Sequence, residues 1–289
     1  MARDVSTQIE AVVGERPDRL SALSGGCVGD VYHATMPSGR DLVAKVGDAG
    51  SGLKLEGSML EYLAKYSDLP VPEVLSAEDE LLVMTLIEAG GGLGTVVQRD
   101  AAQRVAALHA ITPQEHENKG FGFAYDTVIG GQHQPNPWTD SWCDFFRDQR
   151  LLYMGREAER IGRLPSSVLS RLKRFCEVLE RWIEEPAQPS LIHGDMWTGN
   201  VLSGHDRITG FIDPAIYYAD PEIELAFTTL FGTFGDAFFS RYHELRPIRV
   251  GFFEERRDIY NLYPLLVHVR LFGGSYVDSV DNTLSKFGY

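Results

Sequence analysis

The stretch "SLIHGDMWTGNVL" (residues 190–202) sets a His, an Asp, a Trp and an Asn between two short apolar runs of strand-like character. Polar groups in such a connection have three readings: a self-capping turn, a metal site, or a catalytic loop. Asp195 and Asn200 stand five apart, and Asp213 closes the next strand-like run, "ITGFID" (208–213), eighteen residues after Asp195. Phosphoryl transfer uses this inventory. One carboxylate takes or orients the attacking hydroxyl, while an amide oxygen and another carboxylate hold Mg²⁺ against nucleotide phosphates. Mg²⁺ keeps several waters, so Asn200 and Asp213 suffice as its protein ligands. A zinc reading of His193-x-Asp195 lacks partners, since no other His or Cys lies close in sequence. His193 reads as a hydrogen-bonding residue that fixes the loop, and a turn-capping role for Asp195 stays open at this point.

The whole chain bounds these readings. Its 289 residues are 44% hydrophobic and 24% charged, the composition of a folded protein with ample core. The formal net charge is −14, which repels phosphate backbones and makes duplex nucleic acid a poor partner. Cys27, Cys143 and Cys176 are far apart and form no C-x-x-C pair, so neither a disulfide framework nor a zinc knuckle is indicated. No secretory leader or membrane span is read from the sequence, and a cytoplasmic location without membrane attachment is expected.

A kinase also needs a nucleotide lobe, which tests the loop independently. Residues 5–13 read as a helix and Leu20–Val46 as strands, with "LKLEGSMLEYLAKY" (53–66) helical by its leucine spacing and "LLVMTLI" (81–87) a compact strand. Lys45 sits within "DLVAKV" among apolar neighbours, a costly place for an unpaired ammonium, and Glu56 on the following helix can supply its partner. Such a pair positions the lysine on nucleotide phosphates. Upstream, "SGGCVGDVY" (24–32) places Gly25 and Gly26 where backbone N–H groups can approach phosphates. Thr85, Leu86 and Ile87 fall where two lobes would join, and their backbone is expected to read an adenine edge.

Beyond Glu88, Asp100 is expected to cap a helix through "AAQRVAALHAI". Residues 112–139 read as an irregular but packed loop because of their aromatic content, 166–185 as one amphipathic helix, and the chain from Glu222 onward as mostly helical. Strands followed by helices imply an α+β protein of two unequal lobes. Residues 1–87 are expected to form a small antiparallel sheet with one helix, and residues 88–289 a larger, mainly helical lobe.

Together these pieces resemble the fructosamine kinase (ketosamine kinase) family, within the small-molecule kinases related to aminoglycoside and choline kinases. The resemblance is carried by "HGDMWTGN" (193–200), "IDPAIYYADPEIELA" (212–226), "GFGF" (120–123), "PNPW" with "DSWCDFFRDQRL" (135–151) and "LYPLLVHVRLFGGSY" (262–276). It implies a bilobal protein-kinase-like fold and ATP- and Mg²⁺-dependent phosphorylation of a sugar hydroxyl on a small or protein-bound ketosamine. Asp195 would then accept the hydroxyl proton, Asn200 and Asp213 would bind Mg²⁺, and Lys45, anchored by Glu56, would contact ATP. Residues 85–87 would form the adenine hinge, and Trp197 would stack on the sugar. A monomer or weak dimer is expected.

Departures from the family pattern lie near the acceptor side. Gly57-Ser58 follow Glu56 where a second acidic residue is common, and Val267 and Arg270 stand where related chains often carry asparagines. Kinases of another small molecule, or a non-catalytic nucleotide-binding regulator, are the rival readings. Cys27 in the glycine-rich loop is a candidate redox site whose oxidation would suppress ATP binding; the plainer reading is a small loop residue.

Overall fold

The structure, a computed structural model, describes residues 4–23, 29–114 and 120–289. After helix α1 (Val5–Val13), strands β1 (Arg19–Leu23), β2 (Asp30–Thr35) and β3 (Asp41–Val46) lead into helix α2 (Leu53–Tyr66), followed by β4 (Val74–Ala77) and β5 (Leu81–Thr85). The five strands form one antiparallel sheet in the order β1-β2-β3-β5-β4. Side chains alternate across a strand. Leu42, Ala44, Leu81 and Val83 therefore share one face with Ile9 of α1, while Val43, Leu82 and Met84 pack with Leu53 and Leu60 of α2. By the same parity Lys45 falls on the α2 face.

Glycine inside a helix costs about 1 kcal/mol relative to alanine, and the structure accounts for Gly57. A Cβ there would stand 2.3 Å from the Ala77 Cβ of β4. The glycine lets α2 lie close on the sheet, which brings the preceding residue, Glu56, over β3. The departure at Gly57 thus seats the helix.

The remainder begins with α3 (Thr95–Leu108), the hairpin β6 (Thr127–Ile129) and β7 (Gln132–Gln134), and α4 (Trp142–Phe145), which runs through a π-helical segment (Phe146–Leu152) into α5 (Tyr153–Arg160). Next come α6 (Ser166–Cys176) and four short strands, β8 (Ser190–Ile192), β9 (Val201–Ser203), β10 (Ile208–Phe211) and β11 (Tyr217–Ala219). Helices α7 (Glu222–Leu230), α8 (Asp236–Leu245), α9 (Arg257–Phe272) and α10 (Ser275–Lys286) complete the chain. One apolar core joins them, with Ile259, Leu262, Leu266 and Val269 of α9 at its centre. β8 pairs with β11 and β9 with β10, so two two-stranded ribbons flank residues 193–200.

Three local expectations change. Asp100 does not cap α3, which starts a turn earlier at Thr95 because Val97 is already buried; its carboxylate instead accepts from the Ile208 N–H (2.8 Å) and pairs with Arg104 (2.9 Å). The helix expected over 166–185 ends at Cys176 and continues only as a 3₁₀ turn, Leu179–Arg181. Residues 112–139 contain the β6–β7 hairpin, turning at Gly130 (φ 52°) and Gly131 (φ 72°), a two-residue turn that needs positive φ at both positions. Buried Arg150 braces this segment, donating to Pro135 O (2.8 Å) and Asn136 Oδ1 (2.6 Å) with its guanidinium 3.9 Å from the Tyr217 ring centre. No helix among the described residues is long and apolar enough to cross a membrane.

Candidate active site

The loop between β8 and β9 is shaped by backbone constraints before any side chain acts. Gly194 has φ 87°, and a Cβ on it would lie 2.1 Å from Ala215 O, so only glycine fits between His193 and Asp195. His193 O accepts from Ala215 N–H (2.7 Å), tying the loop to the chain entering β11. The His193 ring is fully buried, burial pushes its pKa down, and its Nδ1 accepts from the Asp195 N–H (3.3 Å). His193 thus fixes the loop, as its residue type suggested.

Asn200 closes the other end. Its Nδ2 donates to Asp195 O (2.9 Å) and to Asp195 Oδ2 (3.0 Å), which leaves Oδ1 as an oxygen donor. Asp213, just beyond β10, adopts φ 55° and its carboxylate meets the Lys45 ammonium. Lys45 Nζ also donates to Glu56 Oε1 at 2.7 Å. Burial alone would pull the lysine pKa down, but the Glu56 and Asp213 carboxylates outweigh it and hold it above its ordinary value. Burial, then the charge of Asp213, pushes Asp195 up to about 8.

These groups surround one cleft of about 540 Å³ between the sheet and the β8–β11 ribbons. Lys45, Glu56, Thr85, Leu86, Ile87, Asp195, Trp197, Asn200 and Asp213 all line it, so the structure brings together every expected site residue that it describes. Gly25, Gly26 and Cys27 lie outside the described residues. At the hinge, the Thr85 and Leu86 amides are already spent on Glu73 O (3.0 Å) and Asp41 O (3.1 Å), which moves any adenine-reading donor to Ile87 or beyond. Trp197 is 40% exposed, so it belongs to the cleft wall and not to the core.

Two features escaped sequence reading. The first is Glu224, fully enclosed on α7, whose carboxylate accepts from the Gly194 N–H (2.6 Å), the His193 N–H (3.3 Å) and His109 Nε2 (2.9 Å). His109 Nδ1 meets the Tyr242 hydroxyl at 2.7 Å. Burial favours the neutral acid, but the His109 hydrogen bond and charge, with His193 and Gly194, hold Glu224 below its ordinary value. The available signal was a carboxylate enclosed by apolar neighbours in "EIELAF". The second is a cavity of about 430 Å³ on the far side of Asp195, lined mainly by Trp197, Phe227, Phe231, His268, Phe272 and Tyr276. Asp195, Trp197 and Gly130 border both spaces.

The donor chemistry suits a hard cation. An amide oxygen and two carboxylates, all hard oxygen donors, converge on the cleft. Among the described residues no group of three His, Cys, Asp or Glu could hold a metal alone.

Comparison with known proteins follows the geometry. Residues 1–287 match the profile of the fructosamine kinase family. A probable ketoamine kinase of Synechocystis sp. is 33% identical, covering 98% of this chain and 95% of the relative. A chloroplastic protein-ribulosamine 3-kinase of Oryza sativa subsp. indica is 31% identical over 93% of this chain and 78% of its own length. The crystal structure of a candidate fructosamine-3-kinase from Thermobifida fusca superposes with a TM-score of 0.86 at 27% identity, covering 99% of this chain and 100% of the other. The protein-kinase-like, bilobal α+β fold is therefore the one observed. The chain belongs to the fructosamine kinase family.

Proposed function

We propose that the protein is an ATP-dependent ketosamine kinase, moving the γ-phosphoryl group onto a sugar hydroxyl of an amine-linked ketose. The observation that carries this reading is the shared position of Asp195, which borders both the charged cleft and the aromatic cavity. A donor in one and an acceptor in the other would meet at its carboxylate. Phosphorylation makes such an adduct labile, so the role is repair of glycated amines or proteins; the similarity to protein-ribulosamine 3-kinase supports protein-bound acceptors.

In this reading residues 1–87 hold ATP, with Gly25 and Gly26 the expected phosphate-binding glycines, and residues 88–289 supply the catalytic loop and acceptor site. The acceptor oxygen attacks the γ-phosphorus, the bond to the bridging oxygen breaks, and the hydroxyl proton passes to Asp195 as ADP departs. A carboxylate beside the hydroxyl takes that proton as the new bond to phosphorus forms. Asn200 and Asp213 are the residues that would hold Mg²⁺, which when bound spreads the charge of the transferring phosphoryl group. Lys45 complements the same charge from the sheet side, with Glu56 keeping it in place. Trp197 offers a flat face to the sugar C–H bonds.

The test is ATP consumption with fructosamine, ribulosamine and erythrulosamine derivatives of lysine, beside free sugars and aminoglycosides. Turnover confined to ketosamines is expected. Preferential turnover of an aminoglycoside or a free sugar would overturn the assignment, and no turnover with any acceptor would point to a nucleotide-binding regulator.

A further inference from the structure

The aromatic cavity is too apolar to be a sugar site throughout. Asp195 supplies its charge, no Lys or Arg among the described residues lines it, and Trp197, Thr198, His268 and Tyr276 are its other side chains with polar atoms. A ketose would place its hydroxyls at the Asp195–Thr198 end, where the reaction occurs. The opposite wall is aromatic. Of the four strongly exposed aromatic side chains among the described residues, Trp197 (40%), Phe231 (37%), Phe253 (42%) and Phe272 (57%), all but Phe253 face this space. Open aromatic surface concentrated in one concavity marks a binding site.

We infer that this wall holds the amine carrier of the ketosamine, and that Phe231, His268, Phe272 and Tyr276 make the enzyme select carriers that are apolar and bear no carboxylate beside the amine. The inference rests on the ketosamine kinase reading and goes beyond it by naming the half of the substrate that sets specificity. The amine of a ketosamine is a secondary ammonium near neutral pH, and aromatic faces attract such a cation. His268 braces the group: its Nδ1 donates to Pro264 O (2.7 Å), and its ring lies 4.9 Å from both Phe231 and Tyr276. Burial keeps its pKa low, so the ring is neutral and adds no repulsion to the ammonium. A carboxylate next to that amine would enter an apolar wall without a basic partner, at a cost nothing there repays.

Matched ketosamines of benzylamine and of glycine, each made with ribulose and with fructose, test the idea. The benzylamine adducts are expected to exceed the glycine adducts in kcat/KM by about tenfold or more, the scale on which pocket contacts discriminate. Phe231→Ala and Phe272→Ala, both at exposed positions, should raise KM for the benzylamine adducts and narrow the gap, with the KM for ATP unchanged. Phe231→Tyr should retain the preference. Equal use of both carriers by the parent enzyme, or a preference that survives both alanine substitutions, overturns the inference while leaving a ketosamine kinase in place. Failure to phosphorylate any ketosamine would overturn the functional reading itself, and the inference with it.

Discussion

The two spaces that meet at Asp195 are both lined largely by apolar side chains, but differ in what is set among them. The cleft holds an ionic cluster: Lys45 is clasped by Glu56 and Asp213, and Asn200 braces Asp195. The cavity beyond is aromatic, with Asp195 as its charged group. The difference follows from the work proposed for each side. Phosphoryl transfer is mainly positioning and charge stabilisation, and fixed ionic groups supply both. Recognition of a sugar–amine needs stacking surface and the exclusion of unwanted charge, which rings supply. On the proposed mechanism one residue on the border, Asp195, serves both.

Substitutions can break this division, and the largest effect belongs to the border itself. Asp195→Asn keeps the shape and the Asn200 contact but removes the proposed proton acceptor, so turnover should fall by about 10²–10⁴-fold. The melting temperature and ATP affinity should hold; near-normal steady-state turnover would contradict the role. On the charged side, Lys45→Met should lower turnover by about 10²–10³-fold, the range for losing one electrostatic contact to the reacting centre. It should also raise the KM for ATP, whereas the aromatic substitutions at Phe231 and Phe272 should not. If both classes moved the ATP and acceptor constants alike, the two spaces would not be functionally separate.

Glu224→Gln reaches the border from behind. It weakens the hydrogen bonds to the Gly194 and His193 amides, at a cost of about 1–3 kcal/mol for disturbed buried partners. The sign of its pH dependence is set. A carboxyl held below its ordinary 4.5 in the folded chain adds stability above that pH, and the contribution is lost as pH falls through the depressed folded value. Urea midpoints measured across the acid range should fall more steeply for the parent than for the Gln variant. Parallel slopes would mean that Glu224 is not held low. Gly57→Ala should have the smallest effect. Pushing α2 off Ala77 offsets its gain in helix propensity, leaving a net loss of about 1 kcal/mol. It should raise the KM for ATP slightly through Glu56, as measured by initial rates.

Much of the charged side was legible in the chain because its clues are local. Helix 53–66 follows from leucine spacing and coincides with α2. Lys45 lies mid-strand among apolar residues, so it needed a partner, and Glu56 was near in sequence. Asp195 and Asn200 share one loop, and Asp213 ends the hairpin that follows. The aromatic side was much less legible. Its wall comes from the β6–β7 turn, the β8–β9 loop, α7, α9 and the start of α10, and no spacing rule spans those distances. Trp197 could be singled out because it lies in the same short loop as Asp195. The helix over 166–185 overran because its amphipathic period continues past Cys176, where the chain tightens into a 3₁₀ turn.

Sequence alone determined the chemistry, because phosphoryl transfer demands particular residue types at short spacings along strands and loops. The tertiary structure decided how that chemistry is held and aimed. Only packing could bring Glu224 of α7 against the amides of His193 and Gly194, with His109 of α3 behind it. Only packing could gather aromatic rings from separate segments into one wall beside Asp195. A buried carboxylate and an open aromatic surface are both costly until a partner arrives through space, and periodicity along the chain carries no record of which partner that will be.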